Sequence, residues 1–84
     1  MYNLSKDYNT LYQHVCDGKV AACFVDYDGF RDICQIIKYR DYDISICCRG
    51  IGYGNVRTFH RKRGTEKELF IAQCEKLNLE WIKP

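Results

Sequence analysis

The sequence predicts an α+β fold, two helices packed on a three- to four-stranded antiparallel sheet in the order α-β-β-β-(β)-α-(β), with residues 1–84 as a single domain. Three observations predict it: helically spaced apolar residues near the amino terminus, a β-branched and aromatic run that ends in Asp28-Gly29, and a capping-box helix start at Thr65. A chain of 84 residues holds one hydrophobic core and buries only a little over about 60% of its unfolded surface, so there is room for one site. With 46% hydrophobic and 29% charged residues, 14% aromatics and one proline, the composition is that of an ordered globular domain.

From Leu4 to Val15 the residues Leu4, Tyr8, Leu11, Tyr12 and Val15 share one sector of a helical wheel. Asn3 or Ser5 is the expected amino-terminal cap, and Gly18 the left-handed stop. Val20 to Tyr27 reads as a strand, and Asp28-Gly29 is the dipeptide that a two-residue hairpin turn prefers.

Phe30 to Tyr39 admits two readings. Phe30, Ile33, Cys34, Ile36 and Ile37 share a helical sector, while their composition favours a strand. As a strand, residues 19–49 form a three-stranded meander whose third strand is Ile44 to Cys48. As a helix, the chain becomes a first helix followed by a ferredoxin-like βαββαβ unit. The Asp-Gly turn and the isoleucine run favour the strand.

Gly50, Gly52 and Gly54 then alternate along the chain, and Val56 to His60 is expected as a short edge strand. Thr65 with Glu68 opens the second helix, whose apolar face is Leu69, Phe70, Ile71, Cys74 and Leu77. Asn78 ends it, and Leu79 with Trp81 alternate inward from a final short strand.

The net charge of +2 and sequence pI near 8.2 fall short of the pI above about 9 that marks a dedicated nucleic-acid domain. The distribution says more. Residues 17–43 carry Asp17, Asp26, Asp28, Asp32, Asp41 and Asp43, whereas residues 44–64 carry Arg49, Arg57, Arg61, Lys62 and Arg63 and no carboxylate. The segment from Arg49 to Gly64 is therefore a basic, glycine-rich platform leading into a helix start, where free amides and the helix dipole favour an anion. Tyr53 and Phe59 lie among the cations, the combination that stacks bases while charges hold the backbone.

Arg49-Gly50-Ile51-Gly52-Tyr53 resembles the opening of the RNA-recognition-motif signature, departing from it at Ile51 and Gly54. The element order α-β-β-β-α is similar to that of double-stranded RNA-binding domains. Glu66 and Glu68 stand where that family carries a basic first turn.

The amino-terminal residues show no secretion signal and nowhere do 18 apolar residues run together, so a cytoplasmic location without membrane insertion is expected. Cys16, Cys23, Cys34, Cys47, Cys48 and Cys74 show no CxxC spacing and read as reduced, mostly buried small apolar residues. Together with His14 and His60 they lack metal-site spacing, and no metal or cofactor is expected. The pairs Asp26 with Asp28 and Asp41 with Asp43 flank turns, where aspartate bonds nearby backbone. No catalytic residues are assigned and no enzyme is expected.

The function expected is that of a small cytoplasmic binding module holding nucleic acid or another polyanion through Arg49, Tyr53, Arg57, Phe59, Arg61, Lys62 and Arg63. The alternative is a protein-interaction or inhibitor module of a phage or other mobile element. Its contact surface would use Tyr2, Tyr8, Tyr12, Tyr27, Tyr39, Tyr42 and Tyr53, rigid rings that give area at low entropic cost.

Overall fold

A strand-forming run that meets an Asp-Gly turn folds back on itself most cheaply as a hairpin, and a hairpin forms the centre of this molecule. The structure is a computed structural model that describes residues 3–27, 29–39, 43–48, 54–60 and 66–84. Its elements in chain order are β1 (Leu4–Ser5), α1 (Tyr8–Cys16), β2 (Ala21–Tyr27), β3 (Phe30–Tyr39), β4 (Asp43–Cys48), β5 (Gly54–His60), α2 (Glu66–Lys76) and β6 (Glu80–Ile82). The strands form one antiparallel sheet in the order β1-β6-β2-β3-β4-β5. The α+β class and the strand reading of residues 30–39 hold, and the ferredoxin-like alternative does not.

The hairpin register runs from Tyr27↔Phe30 to Ala21↔Ile36, with Gly29 at φ 71°, a left-handed conformation that an Asp-Gly turn supplies without strain. Asp28 lies outside the described residues. The β3–β4 ladder sets Cys34 opposite Cys48, and Ile36 opposite Ile46. Between β4 and β5 the register shifts at Ile46/Cys47, a bulge beside the glycine-rich stretch.

The sheet is wider than the sequence order implies. The added strand is β1, while β5 is the edge strand expected over Val56 to His60, begun at Gly54, and with both the order departs from that of double-stranded RNA-binding domains. The first helix is also shorter than its apolar spacing suggests. Leu4–Ser5 is a strand on β6, with Leu4 opposite Ile82 and Ser5 opposite Trp81, and Asn3 accepts from the Lys83 amide at 2.8 Å. The cap is Asp7, not Asn3 or Ser5. One of its oxygens accepts from the Thr10 amide at 3.1 Å and the other from the Thr10 hydroxyl at 2.6 Å. Those bonds hold the Asp7 carboxyl below its ordinary range. Helix α1 stops near Gly18, at φ 90°, whose amide donates to Val15. Helix α2 ends through Asn78, left-handed at φ 47°, with the Leu79 amide reaching back to the Cys74 carbonyl at 2.9 Å.

Alternate residues of the strands and one stripe of each helix build the core. Ala21, Cys23, Val25, Cys34, Ile36, Ile44, Ile46 and Trp81 face Tyr8, Leu11 and Val15 of α1 and Phe70, Cys74 and Leu77 beside them. Each large aliphatic or aromatic side chain fully buried there contributes about 1.5–3 kcal/mol. Leu69, counted in the apolar face of α2, stays 49% exposed. The Tyr8 hydroxyl crosses the core to donate to the Leu79 carbonyl at 2.6 Å, tying α1 to the strand that follows α2. Burial pushes its pKa up to about 12.

The cysteines divide. Cys23 and Cys74 are buried free thiols, and burial pushes the Cys23 thiol up to about 12 and the Cys74 thiol further. Cys16 and Cys47 are free and half-buried. Cys34 is disulfide-bonded, which corrects the reading of all six cysteines as reduced.

Candidate interaction surface

Of the residues expected to bind a polyanion, Arg49, Tyr53, Arg61, Lys62 and Arg63 lie outside the described residues, as does the Thr65 cap. Arg57 and Phe59 are backbone positions of β5, opposite Ile46 and Ile44 respectively. Among the described residues, no three His, Cys, Asp or Glu side chains come together as a metal site. His14 instead packs tilted against Trp81, centroids 5.1 Å apart, with its Nε2 3.4 Å from the Val20 carbonyl. Asp26 faces Arg31 and accepts from the Asn78 amide group at 3.3 Å, a structural role at the end of β2.

The feature that the structure brings together is the other side of the sheet. Both helices pack on the face carrying Cys23, Cys34, Ile36 and Ile46. The residues of opposite parity project away from the helices: Ala22, Phe24 and Asp26 on β2, Arg31, Ile33, Gln35 and Ile37 on β3, Ser45 and Cys47 on β4, and Glu80 and Ile82 on β6. No helix covers this face among the described residues. An antiparallel sheet with one wet face ordinarily alternates apolar-in and polar-out. Here the outward set holds Ala22, Phe24, Ile33, Ile37, Cys47 and Ile82 beside the polar Asp26, Arg31, Gln35, Ser45 and Glu80.

Rows across the ladder make the pattern concrete. Glu80, Phe24 and Ile33 are neighbours on adjacent strands, and Leu4 lies opposite Ile82 in the next row. Phe24, Ile33, Ile37, Cys47 and Ile82 are half-buried, while Leu4 at 41% and Val20 at 57% exposure stand at the margin. Toward β4 the face closes, since Ser45 is only 5% exposed. Its open part is therefore centred on β6, β2 and β3.

Among the described side chains of this face, charge gathers around Phe24. The Arg31 guanidinium lies 4.7 Å from the Phe24 ring centroid, donates to Glu80 at 2.8 Å and sits 3.5 Å from Asp26. Cation–π and ion-pair contacts thus hold Arg31 flat on the sheet. Burial raises the Cys47 thiol above its ordinary value, so Cys47 is not an activated nucleophile.

The alternation was available in the sequence. Ile33 and Ile37 have the opposite parity to Cys34 and Ile36, so β3 carries apolar side chains on both faces, with Arg31 and Gln35 between them on the outward one. The same doubling made the segment resemble a helix.

A second concavity, of about 500 Å³, lies between the start of α1 and the end of α2, with Lys6, Asp7, Tyr8, Ile71, Glu75 and Asn78 in its walls. Lys6 bonds Asn78 there at 2.8 Å, and both Asp7 oxygens are engaged with Thr10. No helix among the described residues is long and apolar enough to cross a membrane. No family model, curated protein or solved structure matches the chain.

Proposed function

We propose that this chain is a protein-interaction module whose contact surface is the helix-free face of its sheet. The observation that carries the reading is the outward parity of Phe24, Ile33, Ile37 and Ile82, apolar residues on a face with no helix among the described residues. Contiguous apolar surface rimmed by polar groups marks an interaction site more often than a solvated one. The role is binding rather than catalysis. The free thiols Cys16, Cys23, Cys47 and Cys74 suit a cytoplasmic setting, and the disulfide at Cys34 pulls toward an oxidising one.

Affinity capture from a nuclease-treated extract tests the reading. Wild-type chain is expected to retain a protein that Ile33→Lys, folded by circular dichroism, does not. Equal recovery by both would count against this surface.

A second reading rests on a different observation, the five cations of residues 44–64 with no carboxylate among them. In it Arg49, Arg57, Arg61, Lys62 and Arg63, with Tyr53 and Phe59, hold nucleic acid or another polyanion. If Arg57, Arg61, Lys62 and Arg63 each neutralise a duplex phosphate, log affinity falls against log salt with a slope of about −3.6. An oligonucleotide titration without retention even at low salt rejects it.

A further inference from the structure

We propose that the helix-free sheet face binds a second copy of this chain, sheet against sheet. The inference rests on the interaction reading above and identifies the partner. Its first support is the face's charge pattern. A two-fold contact sets each side chain near the axis against its own twin, so a charge at the centre would repel itself. The centre here is the row Ala22, Gln35 and Cys47, none of them charged, two residues along β2 from Phe24, over whose ring the Arg31 guanidinium lies. Gln35 lies opposite both Ala22 and Cys47 in the ladder, and an amide both donates and accepts, so it can pair with its own copy. The charged groups among the described side chains of this face, Arg31, Asp26 and Glu80, already pair among themselves beside Phe24 and need no partner of complementary charge.

Shape is the second support. The sheet is too wide for one helix, as its other face shows by requiring both α1 and α2. Another sheet of the same hand of twist covers such a face in one layer at about 10 Å, with strands crossing at about 30°. A second copy has that twist by construction.

Area sets the strength. Strand spacing of about 4.8 Å and a rise of about 3.3 Å per residue give the open part of β1, β6, β2, β3 and the near side of β4 roughly 400 Å² per copy, about 800 Å² for a pair. That is half the standard interface of about 1,600 Å², the range of transient contacts. The dimer is weak and reversible, forming at high protein concentration.

Sedimentation velocity of the full chain, from about 10 μM to about 1 mM, is the test, with covalent dimers scored separately on non-reducing gels. Wild-type mass rises from monomer toward dimer across that range. Gln35→Lys and Ile33→Lys, each checked for native circular dichroism, weaken association at least about tenfold. Glu68→Lys, on the exposed side of α2, does not. A wild-type chain monomeric at the highest concentration, or lysine variants that associate as well as wild type, overturns the proposal. If the chain stays monomeric while Ile33→Lys still abolishes capture of another protein, the second copy is wrong and the interaction surface stands. If neither experiment responds to Ile33→Lys, both readings fall.

Discussion

The Tyr8 hydroxyl donates a 2.6 Å hydrogen bond to the Leu79 carbonyl, joining residues 71 positions apart in a buried setting. Helix α1 and the carboxyl-terminal strand are held by this bond as well as by apolar contact. Tyr8→Phe leaves the Leu79 carbonyl unpaired and should cost about 1–3 kcal/mol in denaturant unfolding. There is a pH signature as well. The folded pKa lies above the unfolded one, so Tyr8 favours the fold at neutral pH, and that contribution disappears as pH rises from 10.0 to about 12. Tyr8→Phe should flatten the alkaline limb of the stability profile.

The cap of α1 titrates in the opposite direction. Hydrogen bonds from Thr10 lower the Asp7 pKa from 3.8, so the stability it contributes is present above that value and lost as pH falls through the folded pKa. Asp7→Asn keeps a good cap and should match wild type in acid, below the folded pKa, while Asp7→Ala should be less stable than wild type at pH 7 and converge with it in acid. Thermal melts across that range read the difference.

Gly18 adopts φ 90° at the end of α1 with open space where a Cβ would sit. The cost of Gly18→Ala is therefore conformational rather than steric crowding, about 1–2 kcal/mol. For a domain of this size the melting temperature should fall by about 4–8 °C for each kcal/mol.

Cys34 is fully buried and disulfide-bonded. Cys34→Ala should destabilise the chain by about 2–5 kcal/mol. In the native wild type, alkylation at pH 8 followed by peptide mapping should label Cys16 and Cys47 and spare Cys23 and Cys74, whose thiols are buried with raised pKa values. Equal labelling of Cys23 would contradict the packing described.

Much of this architecture is legible where short-range chemistry decides. Asp28-Gly29 announces the hairpin, Gly18 and Asn78 announce the helix ends, and Leu79 with Trp81 alternate as a strand requires. Leu4 was not legible as a strand residue. It satisfies helical spacing with Tyr8 and Leu11, and only its pairing with Ile82, at the far end of the chain, makes it a strand. Local periodicity carries no record of such a partner.

The candidate surface was half legible for a related reason. Ile33 and Ile37 were visible as apolar, but their meaning depends on knowing that Cys34 and Ile36 already face both helices. The basic platform, by contrast, is a pattern of composition. Its residues Arg49, Tyr53, Arg61, Lys62 and Arg63 lie outside the described residues.

The most direct measurement of the central claim is a dilution series of amide ¹H–¹⁵N spectra of the isolated chain. With the helix-free face as the contact surface, the resonances that move with concentration belong to Ala22, Phe24, Ile33, Gln35, Ile37 and Ile82, while those of α1 and α2 stay in place. Concentration-dependent shifts gathered on the helices would contradict it, and spectra unchanged across the series would contradict self-association through this face.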